Sequence, residues 1–191
     1  MELAVAADAL ALERLYHWER TAPDRVVLTQ PTGGGNVQDF TWREVLDQTR
    51  RMAAHLKSLG FEPGSRIGIL AKNSAHWLIA DFAIWMAGYV SVPLYPTLAA
   101  GTVRQILEHS EARLLFVGKL DGWDAMKGGL PDGLPRISLP MSPATDCPSW
   151  DAITAGTPGF ISPHPSSLPT NSSFASLCSR IWRTVPAASV G

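Results

Sequence analysis

Residues 64–95 read GSRIGILAKNSAHWLIADFAIWMAGYVSVPLY, and no other stretch limits the possible fold of this chain so strongly. Arg66 to Leu70 is a short apolar run after the Pro63-Gly64 turn, a pattern that predicts a buried strand. Asn73 and Ser74 then offer side-chain oxygens to the free N–H groups of a helix start. The helix is expected from about Ala75 to Ala87 and ends at Gly88, the residue type that best tolerates a left-handed turn. Tyr89 to Pro93 is apolar and β-branched again, which predicts a second strand. Two strands joined by a helical crossover are parallel neighbours, wound right-handed. The fold class that follows is α/β with a parallel sheet.

The segments before this unit read as two helices and a hairpin. Ala6 to Thr21 is amphipathic, with Leu10, Leu12, Leu15, Tyr16 and Trp18 on one side, and it stops at Pro23. Val26 to Gln30 and Val37 to Phe40 are extended segments joined by Pro31 to Asn36, whose three glycines suit a hairpin loop. A phosphate-binding loop needs a following Lys-Ser or Lys-Thr and a helix, and neither is present. Thr41 and Glu44 have the spacing of a capping box. Val45, Thr49, Met52, Ala53, Leu56 and Leu59 then repeat as one buried face up to Gly60.

Beyond Tyr95 the elements shorten. A helix over roughly Thr102 to Glu111 is expected, with Thr102 as its cap, Gln105 as the partner, and Val103, Ile106 and Leu107 inward. Arg113 to Val117 reads as a strand, Gly118 to Met126 as a short helix around Trp123, and Arg136 to Leu139 as a small strand. Asp151 is the last acidic residue, and from Thr157 Ser, Pro, Thr and Ala dominate. Such a composition cannot bury enough apolar surface to offset its ordering entropy, so a low-order tail is expected over residues 156–191.

Composition excludes several classes. The net charge is −1, so nothing in the balance calls for nucleic acid. Cys147 and Cys178 stand far apart and form neither a disulfide framework nor a metal pattern. The first residues lack a basic region ahead of an apolar core, so no signal peptide is read there, and a cytoplasmic setting is expected. The most apolar window, Trp77 to Leu94, contains Asp81 and is interrupted by Gly88 and Pro93, which excludes a transmembrane span but not contact with a membrane surface. His17, His55, His76, His109 and His164 are scattered, and each reads as a surface or packing histidine. Trp77, Phe82, Trp85 and Met86 read as core, although a lipid groove has the same signature. Asp81 fits either a buried, hydrogen-bonded carboxylate or the solvent edge.

These residues also carry a resemblance. Thr41-Trp-Arg-Glu44, Gly60 with Pro63-Gly64, Arg66 to Leu70, Asn73-Ser74 with Trp77, Ala87 to Thr97, and Ile106 to Ser110 occur in the order seen in AMP-forming acyl-CoA synthetases. Val92-Pro-Leu-Tyr-Pro-Thr97 and Leu114 to Asp121 are most similar to the long-chain fatty acid branch. The resemblance covers about residues 10 to 155, with one departure at Ala99 to Thr102, where the family usually offers a Thr or Pro cap and an acid. It implies a partial N-terminal subdomain of the adenylate-forming fold, over residues 1–155. It also implies a two-step reaction, in which a fatty acid carboxylate attacks the α-phosphate of ATP and coenzyme A then displaces AMP. ATP, Mg²⁺ and coenzyme A are the cofactors implied for the full-length family, and none is expected for this chain.

The family's phosphate loop, Tyr-Thr-Ser-Gly-Thr-Thr-Gly-x-Pro-Lys-Gly, is matched only in flavour by Thr154 to Gly159, and no lysine follows Lys127. No catalytic, cofactor-binding or metal-binding residue is therefore assigned. The expectation is a chain that ends the family pattern near Ala155 and is inactive alone, as a truncation or a shifted reading frame would give. The alternative is a free-standing module that binds an acyl chain or a partner synthetase.

Overall fold

The strand–helix–strand unit forms where the sequence places it. In the computed structural model, which describes residues 10–158, β3 is Arg66–Leu70, α3 is Ala75–Ala87 and β4 is Val90–Leu94. The Ser74 hydroxyl accepts from the Trp77 N–H at 3.1 Å, and Gly88 closes the helix at φ 86°. The strands run parallel, with Arg66 opposite Val90 and Leu70 opposite Leu94.

The other elements are α1 (Ala11–Thr21), β1 (Val26–Gly33), β2 (Asn36–Thr41), α2 (Trp42–Ser58), α4 (Ala100–His109), β5 (Leu114–Val117), α5 (Trp123–Gly128), β6 (Arg136–Ser138) and α6 (Trp150–Gly156). β1 and β2 form a separate antiparallel hairpin, and the main sheet has the order β4-β3-β5-β6, parallel throughout. The glycine run is the hairpin turn: Gly34 and Gly35 have φ 59° and 80°, the left-handed pair that matches strand twist.

Strand periodicity divides the interior in two. Ile67, Ile69, Leu114, Phe116 and Ile137 face α1, α2, α3 and α6, whereas Leu70, Leu115 and Val117 face α4 and α5. Gly68 points to the second side because a Cβ there would lie 2.8 Å from Leu115 Cδ1 and 2.9 Å from Leu107 Cδ2. The α2 face buries Val45, Leu46, Thr49, Met52, Ala53 and Leu56. Full burial of each large side chain contributes about 1.5–3 kcal/mol. Among the described residues, no helix is long and apolar enough to cross a membrane.

The α2 capping box is complete. Glu44 N–H donates to Thr41 Oγ1 at 3.3 Å, and Thr41 N–H donates to Glu44 Oε2 at 2.7 Å. The backbone bond from Thr41, and then its hydroxyl, hold the Glu44 carboxyl below its ordinary value of 4.5. A depressed folded-state pKa stabilises above the unfolded value and is lost as pH falls through the folded one. Thr41→Val is expected to cost about 1 kcal/mol and to flatten the acid limb of the stability profile below pH 4.5, as measured by urea denaturation.

Several expectations are corrected. α1 begins at Ala11, and the part of the expected helix before Leu10 lies outside the described residues, as does the tail beyond Pro158. Leu59 is 39% exposed, because it is the C-cap where the chain leaves the α2 face. Ala99, not Thr102, caps α4 without a side-chain bond, and Thr102 and Gln105 are exposed. The helix starts earlier because Thr102 and Val103 N–H both donate to Ala99 O, which needs no cap side chain. Trp77, Phe82, Trp85 and Met86 pack against the core but are only half-buried; the fully buried side of α3 is Ile79, Ala80, Ala83, Ile84 and Ala87.

Candidate functional site

In an open α/β sheet the ligand crevice lies beyond the carboxyl ends of the strands, where the winding reverses. Here β3 is flanked by β4 on one side and β5 on the other, so the reversal falls between β3 and β5. Their ends are tied together. Gly118 N–H donates to Leu70 O at 3.0 Å, Lys72 N–H donates to Lys119 O at 2.8 Å, and Lys72 Nζ pairs with Asp121 at 2.6 Å. Half-exposed Lys72 therefore has its charge matched at this position.

Of the phosphate-loop-like segment, Thr154 to Gly156 is helical, and Gly159 lies outside the described residues. Ser149 caps α6 by accepting from Ala152 N–H at 3.3 Å. Thr154 Oγ1 donates to Trp150 O at 3.0 Å, Thr157 N–H donates to Ile153 O at 3.0 Å, and Arg51 Nη1 donates to Thr157 O at 2.9 Å. A phosphate loop presents free N–H groups to the anion, whereas here the Thr157 N–H is consumed by the helix and the Thr157 carbonyl accepts from Arg51 of α2. The described residues of this segment offer neither a cradle of free N–H groups nor a lysine for an ATP–Mg²⁺ pair. Among the described residues, no group of three His, Cys, Asp or Glu side chains could hold a metal ion.

His164 lies outside the described residues, and among the described histidines the most constrained is His76. It lies edge-on to Phe40 at 5.4 Å and to Trp150 at 5.5 Å. Gln48 Oε1 accepts from Trp150 Nε1 at 3.0 Å and lies 3.0 Å from His76 Nε2, which assigns the Nε2–H tautomer of a neutral ring. Burial lowers the His76 pKa below 6.5, opposed in part by Asp151. A buried base that stays neutral means the unfolded chain binds the extra proton between the folded value and 6.5, so stability falls as pH drops through that window. His76→Phe is expected to reduce that slope in thermal melts run from pH 7 downward.

A cleft of about 550 Å³ opens near the start of β6, lined by His55, Leu59, Leu130, Arg136 and Cys147 among others. Its cations are taken: Lys127 and Arg136 reach Asp146 at 2.8 and 3.1 Å. Burial, and then Asp146, push the Cys147 thiol up, which disfavours a nucleophilic thiolate.

Asp81 is the group that local sequence reasoning left open. It is 7% exposed, and its Oδ1 has no hydrogen-bond partner. Burial raises its pKa, against a lowering by the Ser91 hydroxyl, which also accepts from Trp85 Nε1 at 3.3 Å. Of the aromatic residues identified in the sequence, Trp85 is thus linked to this buried carboxylate through Ser91.

The parallel sheet with helices on both faces, and the hairpin ahead of it, define the class: an α/β domain of the kind that opens adenylate-forming enzymes. A family model described as AMP-binding enzyme matches residues 15–156, and the chain belongs to this family. The long-chain-fatty-acid–CoA ligase FadD15 of Mycobacterium bovis is 37% identical over 123 residues, covering 64% of this chain and 20% of the relative. Long chain acyl-CoA synthetase 1 of Arabidopsis thaliana is 40% identical over 77 residues, covering 40% of this chain and 12% of the relative. The acetoacetyl-CoA synthetase of Streptomyces lividans superposes with a TM-score of 0.66 at 24% identity, over 76% of this chain and 25% of that structure, and so shares the fold. The chain spans a fifth or less of the length of these two curated relatives.

Proposed function

We propose that this chain is the N-terminal part of a long-chain fatty acid–CoA ligase, with a domain boundary near residue 155, and that it is inactive alone. The observation that carries this reading is the match to the AMP-binding family over residues 15–156, set against helical Thr154 to Gly156 where the sequence resembles a phosphate loop. Fatty acid is the substrate of the whole ligase, ATP, Mg²⁺ and coenzyme A its cofactors, and the cytoplasm its setting. What this chain supplies is scaffold: a four-stranded parallel sheet and the hairpin packed beside α3. Charge neutralisation at the phosphates, which the adenylation step requires, comes from elsewhere in such an enzyme.

The test is fatty-acid-dependent exchange of labelled pyrophosphate into ATP by the purified chain. No exchange above a protein-free blank is expected, and exchange that saturates with palmitate would overturn the inactivity. Translation of the other two reading frames downstream of codon 150 tests the origin of the tail. A Thr-Ser-Gly-Thr-Thr-Gly segment there supports a shifted frame. A second reading, a non-catalytic module that binds an acyl chain, is favoured by half-buried Trp77, Phe82, Trp85 and Met86. Saturable palmitate binding by the cooperatively folded chain would select it.

A further inference from the structure

The cleft beside the start of β6 lies at the amino ends of β5 and β6, where Leu114 and Arg136 begin the strands. This is the end of the sheet opposite the crevice beyond the carboxyl ends. Its volume of about 550 Å³ falls in the range of small-molecule sites. Much of the wall is apolar, with Leu59, Leu130 and Leu134 set among Pro131, Pro135 and Pro148. Leu59 is 39% exposed, apolar area that a ligand would take out of water. Prolines have no N–H, so three wall positions give a ligand no backbone donor, and a polar head must be met by side chains.

The side chains that can meet it are cationic. Lys127 Nζ lies 2.8 Å and Arg136 Nη2 3.1 Å from the same oxygen, Asp146 Oδ2. One carboxylate therefore faces two cations, matched in contact but not in charge. Arg136 is held in place: its side chain is 22% exposed, and its guanidinium sits 5.9 Å from the centroid of the Trp123 ring. Only Nη2 donates to Asp146, which leaves Nε and Nη1 without a partner among the described residues. Asp132 also lines the cleft, but it is exposed to screening solvent and pairs with neither cation. Burial lowers the His55 pKa below 6.5, so this lining ring is neutral at pH 7 and adds no charge.

We propose that this cleft binds an amphipathic monoanion, an apolar body with one carboxylate or sulfonate head, the head between Lys127 and Arg136 and the body on the leucine and proline wall. The site does not depend on the reading of the chain as part of a ligase. The charge and the wall select this class together. A single negative head answers the one positive charge left over around Asp146 Oδ2. A cationic ligand would meet Lys127 and Arg136 with their shared acid already engaged. A polyphosphate calls for arrays of backbone N–H groups, which the prolines deny it, and its extra charges would face Asp146 and Asp132. A wholly apolar ligand would take the two cationic heads out of water with nothing in return. The bound head stands close to the Asp146 carboxylate, so Asp146 opposes binding while its two partners favour it.

The experiment titrates the full chain with 8-anilinonaphthalene-1-sulfonate, followed by fluorescence, and displaces the probe with 4-phenylbutyrate or its neutral analogue 4-phenyl-1-butanol. One saturable site is expected, emptied by the carboxylate at concentrations where the alcohol leaves it filled. Lys127→Gln and Leu59→Gln, both at exposed positions outside the core, are expected to weaken 4-phenylbutyrate about threefold to tenfold. Asp146→Asn is expected to act in the opposite direction, tightening 4-phenylbutyrate by about the same factor, because it removes the competing carboxylate. Residues that merely pack the cleft would not give opposite signs for the loss of Lys127 and of Asp146. Occupancy is located with iodoacetamide: 4-phenylbutyrate is expected to slow alkylation of half-buried Cys147 severalfold, resolved from Cys178 by peptide mass spectrometry. The proposal is overturned if binding fails to saturate below about 1 mM, or if the alcohol displaces the probe as well as the carboxylate does. It is also overturned if Asp146→Asn weakens binding or leaves it unchanged, or if Cys147 reacts equally fast in the bound chain.

Discussion

Replacing Trp150 with alanine is expected to cost about 3–5 kcal/mol and lower the melting midpoint by roughly 6–20 °C. Trp150 is fully buried and is the first residue of α6. Its ring meets His76 at 5.5 Å and Phe116 at 6.0 Å, and its Nε1 donates to Gln48 Oε1. One side chain thus joins α6 to α2, α3 and β5. Removing it leaves a cavity between elements that are far apart in sequence and withdraws the donor from Gln48. The loss has two parts, which a second variant separates. Trp150→Phe keeps most of the volume and loses only the hydrogen bond, at a cost of about 1–2 kcal/mol. Urea denaturation of both variants checks this. A Trp150→Ala loss below about 1 kcal/mol would mean that α6 is not anchored as described.

The second large effect is expected at Gly118. A Cβ there would lie 2.5 Å from Ala71 Cβ and 3.3 Å from Leu139 Cδ1. Ala71 has no flexible end to move, so the close approach can be relieved only by separating the ends of β3 and β5. That strains the bonds from Gly118 N–H to Leu70 O and from Leu139 N–H to Val117 O. Gly118→Ala is expected to cost about 1–3 kcal/mol, and Gly118→Val more. Ala71→Gly in the Gly118→Ala background removes the clashing methyl. The double variant is therefore expected to be more stable than the sum of the single changes predicts, by about 1 kcal/mol. Additive losses would show that the close approach of β3 and β5 is not the cause.

Much of the fold is legible where the physics is local. The bounds of β3 and α3 follow from Pro63-Gly64, the Ser74 cap and Gly88, because a cap or a left-handed turn acts within a few residues. The capping box at Thr41 and the hairpin at Gly34-Gly35 are local in the same sense. α6 escapes such reading because Thr154-Ala-Gly-Thr157 suits a loop as well as a short helix. What decides is Trp150 meeting Gln48 across 102 positions, a contact no window of sequence contains.

By itself the sequence determined the class of fold and the family pattern from Thr41 to Ser110, since both rest on periodicity, caps and residue order. Only the tertiary structure decided what the apolar residues of α3 do. A helix apolar all round looks the same in sequence whether one side or both are covered, because periodicity reports a side chain's direction and not what lies opposite. Packing against α2 and the sheet sent Ile79, Ala83 and Ile84 inside and left Trp77, Leu78 and Trp85 only partly covered.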